Sequence, residues 1–371
     1  MNAGKRVLIC GGGAIGAATA YYLARRGARP VVIERHEVAG SASGKSGGFL
    51  ALDWCRGNPL DRLARRSFAL HAELAEALGN PWGYRRLTTY AGYAQAAEAS
   101  RPSSKRPWLS DRVVIAEKIG SPETTALVEP HAFTNGLMRA AEAQGAALQH
   151  GTVVDVARDR KGSVSGAVLA NGETVEGDAV VIAMGPWSVL AARWLPLPPV
   201  YGYKGHSLVL DTRIAIPAEA LFLEYREESG EALSPEVFPR ADGTTWVCAI
   251  SSTDPLPVDP AEVAPEDGAF GRLEAMCRAL SPVLASAPIL KRQACFRPLT
   301  QDGLPLMGAI AGVEGAYVAT GHNVWGMLNA PASGEAMSEL ILDGETRYVD
   351  LAPFAPGRLT PLDPGRLRQG M

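Results

Sequence analysis

Residues 7–16 read VLICGGGAIG: a short apolar run that drops straight into glycines. The spacing Gly11-x-Gly13-x-x-Gly16 is the dinucleotide-binding fingerprint, which carries weight only between a strand and a helix. Val7 to Cys10 supply the strand-like run. Residues 14–26 (AIGAATAYYLARR) have helical periodicity, with Ile15, Ala18, Tyr22 and Leu23 on one face, and Gly27 stops the helix. A second apolar strand, PVVIE, ends on Glu34. That acid lies 18 residues beyond Gly16, close to the ~20 expected for a partner to a ribose hydroxyl.

Each glycine has a physical task. Gly11 permits the tight turn, Gly13 lets backbone approach a pyrophosphate, and Gly16 lets the helix pack close to the strand. The helix N-terminus then offers free N–H groups and a positive dipole end to phosphates. Glu34 favours a free 2′-hydroxyl, hence FAD or NAD over NADP, although Arg35 directly after it softens that exclusion.

The 371 residues are 47% hydrophobic and 20% charged, the composition of an ordinary globular protein with a substantial core. A net charge of −3 argues against a nucleic-acid partner. The basic stretch 101–112 is broken by Pro and Ser and reads as a solvated loop. Cys10, Cys55, Cys248, Cys277 and Cys295 are odd in number and widely spaced, without C-x-x-C. That pattern fits a reducing compartment better than a disulfide or zinc scaffold, so no metal is expected. The fingerprint begins almost at Met1 with no signal peptide ahead, and residues 179–203 are broken by Gly185-Pro186, Arg193 and prolines. A cytoplasmic protein without a membrane span is expected.

Nucleotide-domain features recur far along the chain. A glycine- and serine-rich loop (40–48, GSASGKSGG) precedes a long amphipathic helix near 60–78, and 84–94 read as a strand. Residues 132–143 read as a helix. Strands at 151–159 and 163–185 enclose the hairpin turn Asn171-Gly172. The run 179–183 ends on Gly185-Pro186-Trp187, where glycine suggests backbone approaching a ligand. Between about 196 and 295 prolines are frequent and strands short. After Arg297, GAYVATG (315–321) is a strand and 329–344 a helix stopped by Gly344. The tail, 352–371, is rich in Pro, Gly and Arg and is expected to be mobile.

Together, VLICGGGAIGAATAYYLARRG, the GKSGGFLA loop, VVIAMGPWS and the closing CFRPLTQDGLPLMG…GAYVATGHNVWGMLNAPASGE resemble the D-amino-acid oxidase/glycine oxidase/sarcosine oxidase superfamily of FAD enzymes. The resemblance covers most of the chain and is weakest between about 212 and 290. It implies an α/β FAD-binding domain of Rossmann-like, glutathione-reductase type, carrying an inserted α+β substrate domain built on an antiparallel sheet. Residues 1–83, 120–195 and 296–350 would form the first, 84–119 and 196–295 the second, and 351–371 a tail.

The resemblance also implies roles. Gly11, Gly13, Ala14, Ile15 and Gly16 would hold the pyrophosphate of FAD, Glu34 the adenosine ribose, and Arg35 would lie near the adenine. Ser43, Gly44, Lys45, Ser46, Gly47 and Gly48 would pass along pyrophosphate and flavin. Val154 would hold the adenine through its backbone, while Ala183, Gly185 and Trp187 would sit at the ribityl and adenosine side. Gly321, His322, Asn323, Val324, Trp325, Gly326, Met327 and Leu328 would line the ring. A flat ring needs backbone donors without side-chain bulk, which glycines at 321 and 326 allow.

The implied chemistry is hydride transfer to flavin N5 from the carbon bearing an amine. It gives an imine and, with O2 as acceptor, H2O2. A small amine or amino-acid substrate needs an anchor, and an arginine fork suits a carboxylate. Arg297 in CFRPLT matches that anchor. A second polar anchor of several relatives falls on Val324 here, which points to a more apolar pocket, narrowed by Trp325. His322 is a hydrogen-bonding candidate, Lys204 and Lys45 are candidates to stabilise reduced-flavin charge, and Tyr201 and Tyr203 are candidates to reach the pocket. Cys295 offers a covalent flavin link, with non-covalent FAD the expectation. Two other readings remain open: a 2-hydroxy-acid dehydrogenase feeding a quinone or carrier, and a flavoprotein without turnover.

Overall fold

The computed structural model describes residues 4–95 and 106–367. The fingerprint strand Arg6–Cys10 lies inside a six-stranded sheet. It pairs in parallel with Arg29–Glu34 on one side and Ala179–Ile182 on the other. Ala147–His150 extends the sheet beyond Arg29–Glu34, and Ala316–Thr320 beyond Ala179–Ile182, both in parallel. Leu306–Ala309 closes the far edge antiparallel. Strands more than a hundred residues apart are therefore neighbours, and the central ones are apolar throughout because helices cover the sheet.

Two helices from opposite ends of the chain pack on that sheet. Ala14–Arg25 is rich in alanine and almost entirely buried, and Gly326–Asp343 lies against it. A third, Asp61–Ala77, presents Leu63, Phe68, Leu70 and Leu74 to the same core. A three-stranded hairpin sheet, Val153–Arg158, Val164–Leu169 and Thr174–Glu176, caps the other face, with Asn171-Gly172 at its turn. Gly172 sits at φ +86°, as that turn requires.

A second large sheet runs in the order Ile289–Leu299, Tyr201–Asp211, Thr244–Ser252, Glu236–Pro239, Glu219–Arg226, Thr88–Gln95, Val113–Gly120. It is antiparallel except where Glu219–Arg226 meets Thr88–Gln95 in parallel. The helix Ala269–Leu280 backs it with Leu273, Met276 and Leu280. The strand Ile289–Leu299 passes unbroken through position 295/296, so Arg297 belongs to this second sheet.

Two expectations for surface segments are corrected. Trp108 and Leu109, in the stretch read as a solvated loop, are buried against the second sheet's core, because large apolar groups gain more by packing than by solvation. Positions 101–105 of that stretch lie outside the described residues. The tail is packed as far as 367: Phe354 is buried, Leu359, Leu362 and Leu367 lean on the first sheet, and Arg358 makes a two-pronged contact with Asp302. No helix among the described residues is long and apolar enough to cross a membrane.

Candidate functional site

The carboxyl ends of the first sheet's strands and one face of the second sheet enclose a cavity of about 920 Å³. That is the upper end of the range for small-molecule and cofactor sites. The fingerprint contributes Gly11, Gly13, Ala14 and Ile15 to its wall, and the second strand contributes Glu34 and Arg35. Ser43, Lys45, Ser46, Gly47 and Gly48 come from the glycine-rich loop, and Ala183, Gly185 and Trp187 from the strand end. The far end brings Gly321, His322, Asn323, Val324, Trp325, Gly326 and Met327.

The local reasons are steric and polar. Gly11, at φ +110°, passes so close to the next strand that a Cβ would lie 2.5 Å from the Ala183 carbonyl oxygen. A Cβ on Gly13 would meet the Ser43 hydroxyl at 3.0 Å. That hydroxyl accepts from the Ala14 N–H (2.9 Å), which ties the glycine-rich loop to the first turn of the helix. Glu34 accepts from the Gly12 N–H at 2.7 Å and from the His36 N–H at 3.0 Å, so its carboxylate is oriented by backbone alone. Gly47 crosses directly over the second sheet, where a Cβ would lie 2.4 Å from the Phe238 ring. The Trp246 indole N–H donates to the Lys45 carbonyl and Arg240 donates to the Ser46 carbonyl, both at 2.9 Å.

Asn323 adopts φ +50°, a conformation asparagine tolerates better than most residues, in the turn ahead of the helix Gly326–Asp343. His71 holds that start: its Nε2–H donates to the carbonyls of Met327 (3.0 Å) and Leu328 (3.1 Å). His322 is buried with Nε2 3.0 Å from the Ser333 hydroxyl and, among the described residues, no partner for Nδ1. Burial pushes its pKa down to about 3, so it is a neutral hydrogen-bonding group.

Arg297 enters the cavity from the second sheet. Its guanidinium donates to the Ser251 hydroxyl at 2.6 Å and lies 5.1 Å from the Tyr203 ring centre. Gly205 leaves room for it: a Cβ there would meet the guanidinium at 3.4 Å. Lys45 lies in the wall and donates to the Ala294 carbonyl at 3.3 Å. Cys295 faces the cavity too, and burial raises its thiol pKa.

Seven of the residues singled out in the sequence lie outside the wall. Gly16 packs against the chain itself, where a Cβ would be 2.0 Å from the Gly11 carbonyl oxygen. Gly44 likewise packs on the Ala39 carbonyl. Leu328 is fully buried in the helix core. Val154 is half-exposed, and its neighbours Gly151, Thr152 and Val153 form the wall instead. Lys204 pairs with Asp254 and donates to the Ala264 carbonyl, because alternation along the strand turns it from the cavity while Gly205 faces inward. Tyr201 is exposed, and Tyr203 serves as the platform under Arg297.

The cavity also holds groups the sequence reading passed over: Glu236, Cys248 and Ser251 on the second sheet, and the rings of Phe49, Trp54 and Phe222. Their one sequence signal is a polar residue inside an alternating strand, as in EVFP and TWVCAISS.

A parallel dinucleotide-type sheet facing a second sheet across one cavity defines a class of nucleotide-binding protein. Within that class, the FAD dependent oxidoreductase family (DAO) matches residues 6–340, and the chain belongs to it. A protein of Schizosaccharomyces pombe named only as an oxidoreductase is 28% identical, over 96% of this chain and 99% of its own. The glycine oxidase of Geobacillus kaustophilus is 28% identical, over 94% and 96%. The crystal structure of glycine oxidase from Geobacillus kaustophilus superposes with a TM-score of 0.77 at 26% identity, covering 95% of this chain and 98% of that one.

The residues present fit FAD. Two long helices, starting after Gly13 and after Trp325, open on this cavity; neither Gly13 nor Trp325 caps its helix with a side chain, and at the first start Ser43 takes the Ala14 N–H. Glycines at 11 and 13 leave space that a Cβ would fill. The protein is thus an FAD-dependent oxidoreductase.

Proposed function

We propose that the enzyme oxidises the C–N bond of a small amine or amino acid, with Arg297 gripping a carboxylate of the substrate. FAD, when bound, accepts the hydride from the carbon bearing the amine. The nitrogen gives up a proton as the C=N bond forms, water hydrolyses the imine to an oxo product, and with O2 as final acceptor the two electrons leave as H2O2. In this reading Gly11, Gly13, Ala14 and Ile15 hold the pyrophosphate, Glu34 the ribose, and the 321–327 segment the ring. FAD is held non-covalently in this reading, since desolvation raises the pKa of the Cys295 thiol at the cavity wall and disfavours the thiolate a covalent link would need.

The observation that supports this most is that the Arg297 guanidinium and the segment Gly321–Met327 line one cavity from opposite sheets. The Ser251 hydroxyl and the Tyr203 ring fix that guanidinium, so a carboxylate meets a pre-oriented fork. Anaerobic titration of the purified holoenzyme with a panel of amines and amino acids tests it. Loss of the flavin's visible absorbance with at least one of them, followed by peroxide and ammonia or amine release in air, is expected. Reduction by 2-hydroxy acids alone would overturn the assignment.

A further inference from the structure

The second sheet places a carboxylate where the proposed function has not used one. Glu236 pairs in register with Cys248 on one side and Phe222 on the other, and all three face the cavity that holds Arg297. Its hydrogen-bond partner among the described residues is the Cys248 thiol, 3.6 Å from Oε2. Among the described residues, no ion pair within 4 Å joins it to Arg297, whose fork is turned to Ser251. The guanidinium is still near enough to act on the carboxyl, pulling its pKa down while burial pushes it up. The cavity thus carries a guanidinium and a carboxyl group, close but not in contact.

Beyond these charges the wall is aromatic. Trp54, Phe49 and Phe222 meet with ring centres 5.0 Å apart in each pair, and Trp325 stands edge-on to Trp54 at 6.4 Å. All four stay partly exposed to the cavity. Phe238 and Trp246 are buried beneath Gly47 and serve as their support.

Resting on the amine-oxidation reading, we propose that Glu236 takes the ammonium group of an α-amino acid whose carboxylate is held by Arg297 and whose aromatic side chain lies against Phe49, Trp54, Phe222 and Trp325. A zwitterion separates its charges by a few bonds, so it can bridge two opposite groups that do not touch. It supplies each with the partner that a buried charge needs. Four rings at this spacing suit an aromatic ring, by edge-to-face contact, far better than the hydrogen of glycine.

The test uses the holoenzyme and two probes that share a benzyl side chain. α-Methylphenylalanine, each enantiomer in turn, is a zwitterion without the Cα hydrogen and cannot be oxidised. 3-Phenylpropionate lacks the amine. Calorimetry on wild type should show binding of one enantiomer of the first, more tightly than the second. Glu236→Gln should weaken that enantiomer by about 30-fold or more while 3-phenylpropionate binds as well or better, since a like charge has gone. Flavin absorbance confirms that the variant is folded, and Glu236→Asp should recover part of the loss. Equal effects on both probes, or none on either, would overturn the role of Glu236. Wild type that binds neither probe, or that is reduced faster by glycine than by phenylalanine, would overturn the aromatic zwitterion and leave amine oxidation standing. Failure of every amine to bleach the flavin would instead remove the underlying reading.

Discussion

Gly334 lies against Ala18: a β-carbon on Gly334 would sit 2.5 Å from the Ala18 carbonyl carbon. The helix that opens the chain and the helix that closes its nucleotide fold thus touch backbone to backbone. Both start at the cavity, at Gly13 and Trp325, so this contact sets the spacing of the two ends that would cradle FAD.

Gly334→Ala tests how tightly that spacing is set. Alanine gains about 0.8–1.0 kcal/mol of helix propensity over glycine. Against it stands a clash with rigid backbone, and overpacking costs about 1–3 kcal/mol. The clash should win, and the unfolding midpoint in urea should fall with an unchanged slope. A stabilised variant would show that the helices separate freely.

Gly13→Val should abolish flavin retention. Its side chain would fill the space beside Ser43 that the proposed pyrophosphate site needs. Purified variant protein should be colourless, with far-ultraviolet circular dichroism like that of the parent. Full flavin content in the variant would place the phosphates elsewhere.

Arg297→Ala should raise KM for a carboxylate-bearing substrate by about 30-fold or more and leave flavin content untouched. Ser251→Ala, which only frees the guanidinium to swing, should cost less. Steady-state kinetics on the amine that bleaches the flavin fastest decides both. An unchanged KM in Arg297→Ala would end its role as the anchor.

Acid should weaken the fold through three buried histidines, His71, His206 and His322, all lowered by burial. Burial lowers His71 to about 4 and His322 to about 3, against an ordinary 6.5. The unfolded chain therefore binds protons that the folded one refuses, and stability falls as pH drops below about 6.5, by about 1.4 kcal/mol per pH unit for each histidine. The loss runs on to about pH 4 for His71 and about pH 3 for His322. Glu236, raised by burial, acts in the opposite sense above its ordinary range, so the three histidines face an opposing carboxyl. His71→Gln keeps a donor for the Met327 and Leu328 carbonyls without titrating. Urea unfolding at pH 6.5 and 5 should show a smaller drop in the variant than in wild type, and an identical drop would contradict the buried neutral form.

How much was legible follows from how local each signal is. The fingerprint could be read because Gly11, Gly13 and Glu34 are bound by short-range geometry: a turn, a helix start and the next strand. Gly16 belongs to the same motif yet packs on Gly11 and Ile9, since a spacing rule does not separate packing from contact with a ligand. Val154 lies one place past the wall residues Gly151, Thr152 and Val153, and Lys204 turns outward because alternate residues of a strand face opposite ways. Glu236, Ser251 and the ring cluster depend on pairings across the second sheet, where Glu236 meets Cys248 and Gly205 meets Ser251. No local pattern announces such registers, and the resemblance was weakest in that region.

The central claim, that both ends of the chain close over one FAD, is tested most directly by counting flavin. Holoenzyme is denatured by heat, and the FAD released into the supernatant is measured against protein. The account predicts one FAD per chain, all of it released. A protein that takes up no flavin when offered it would contradict the account at its root.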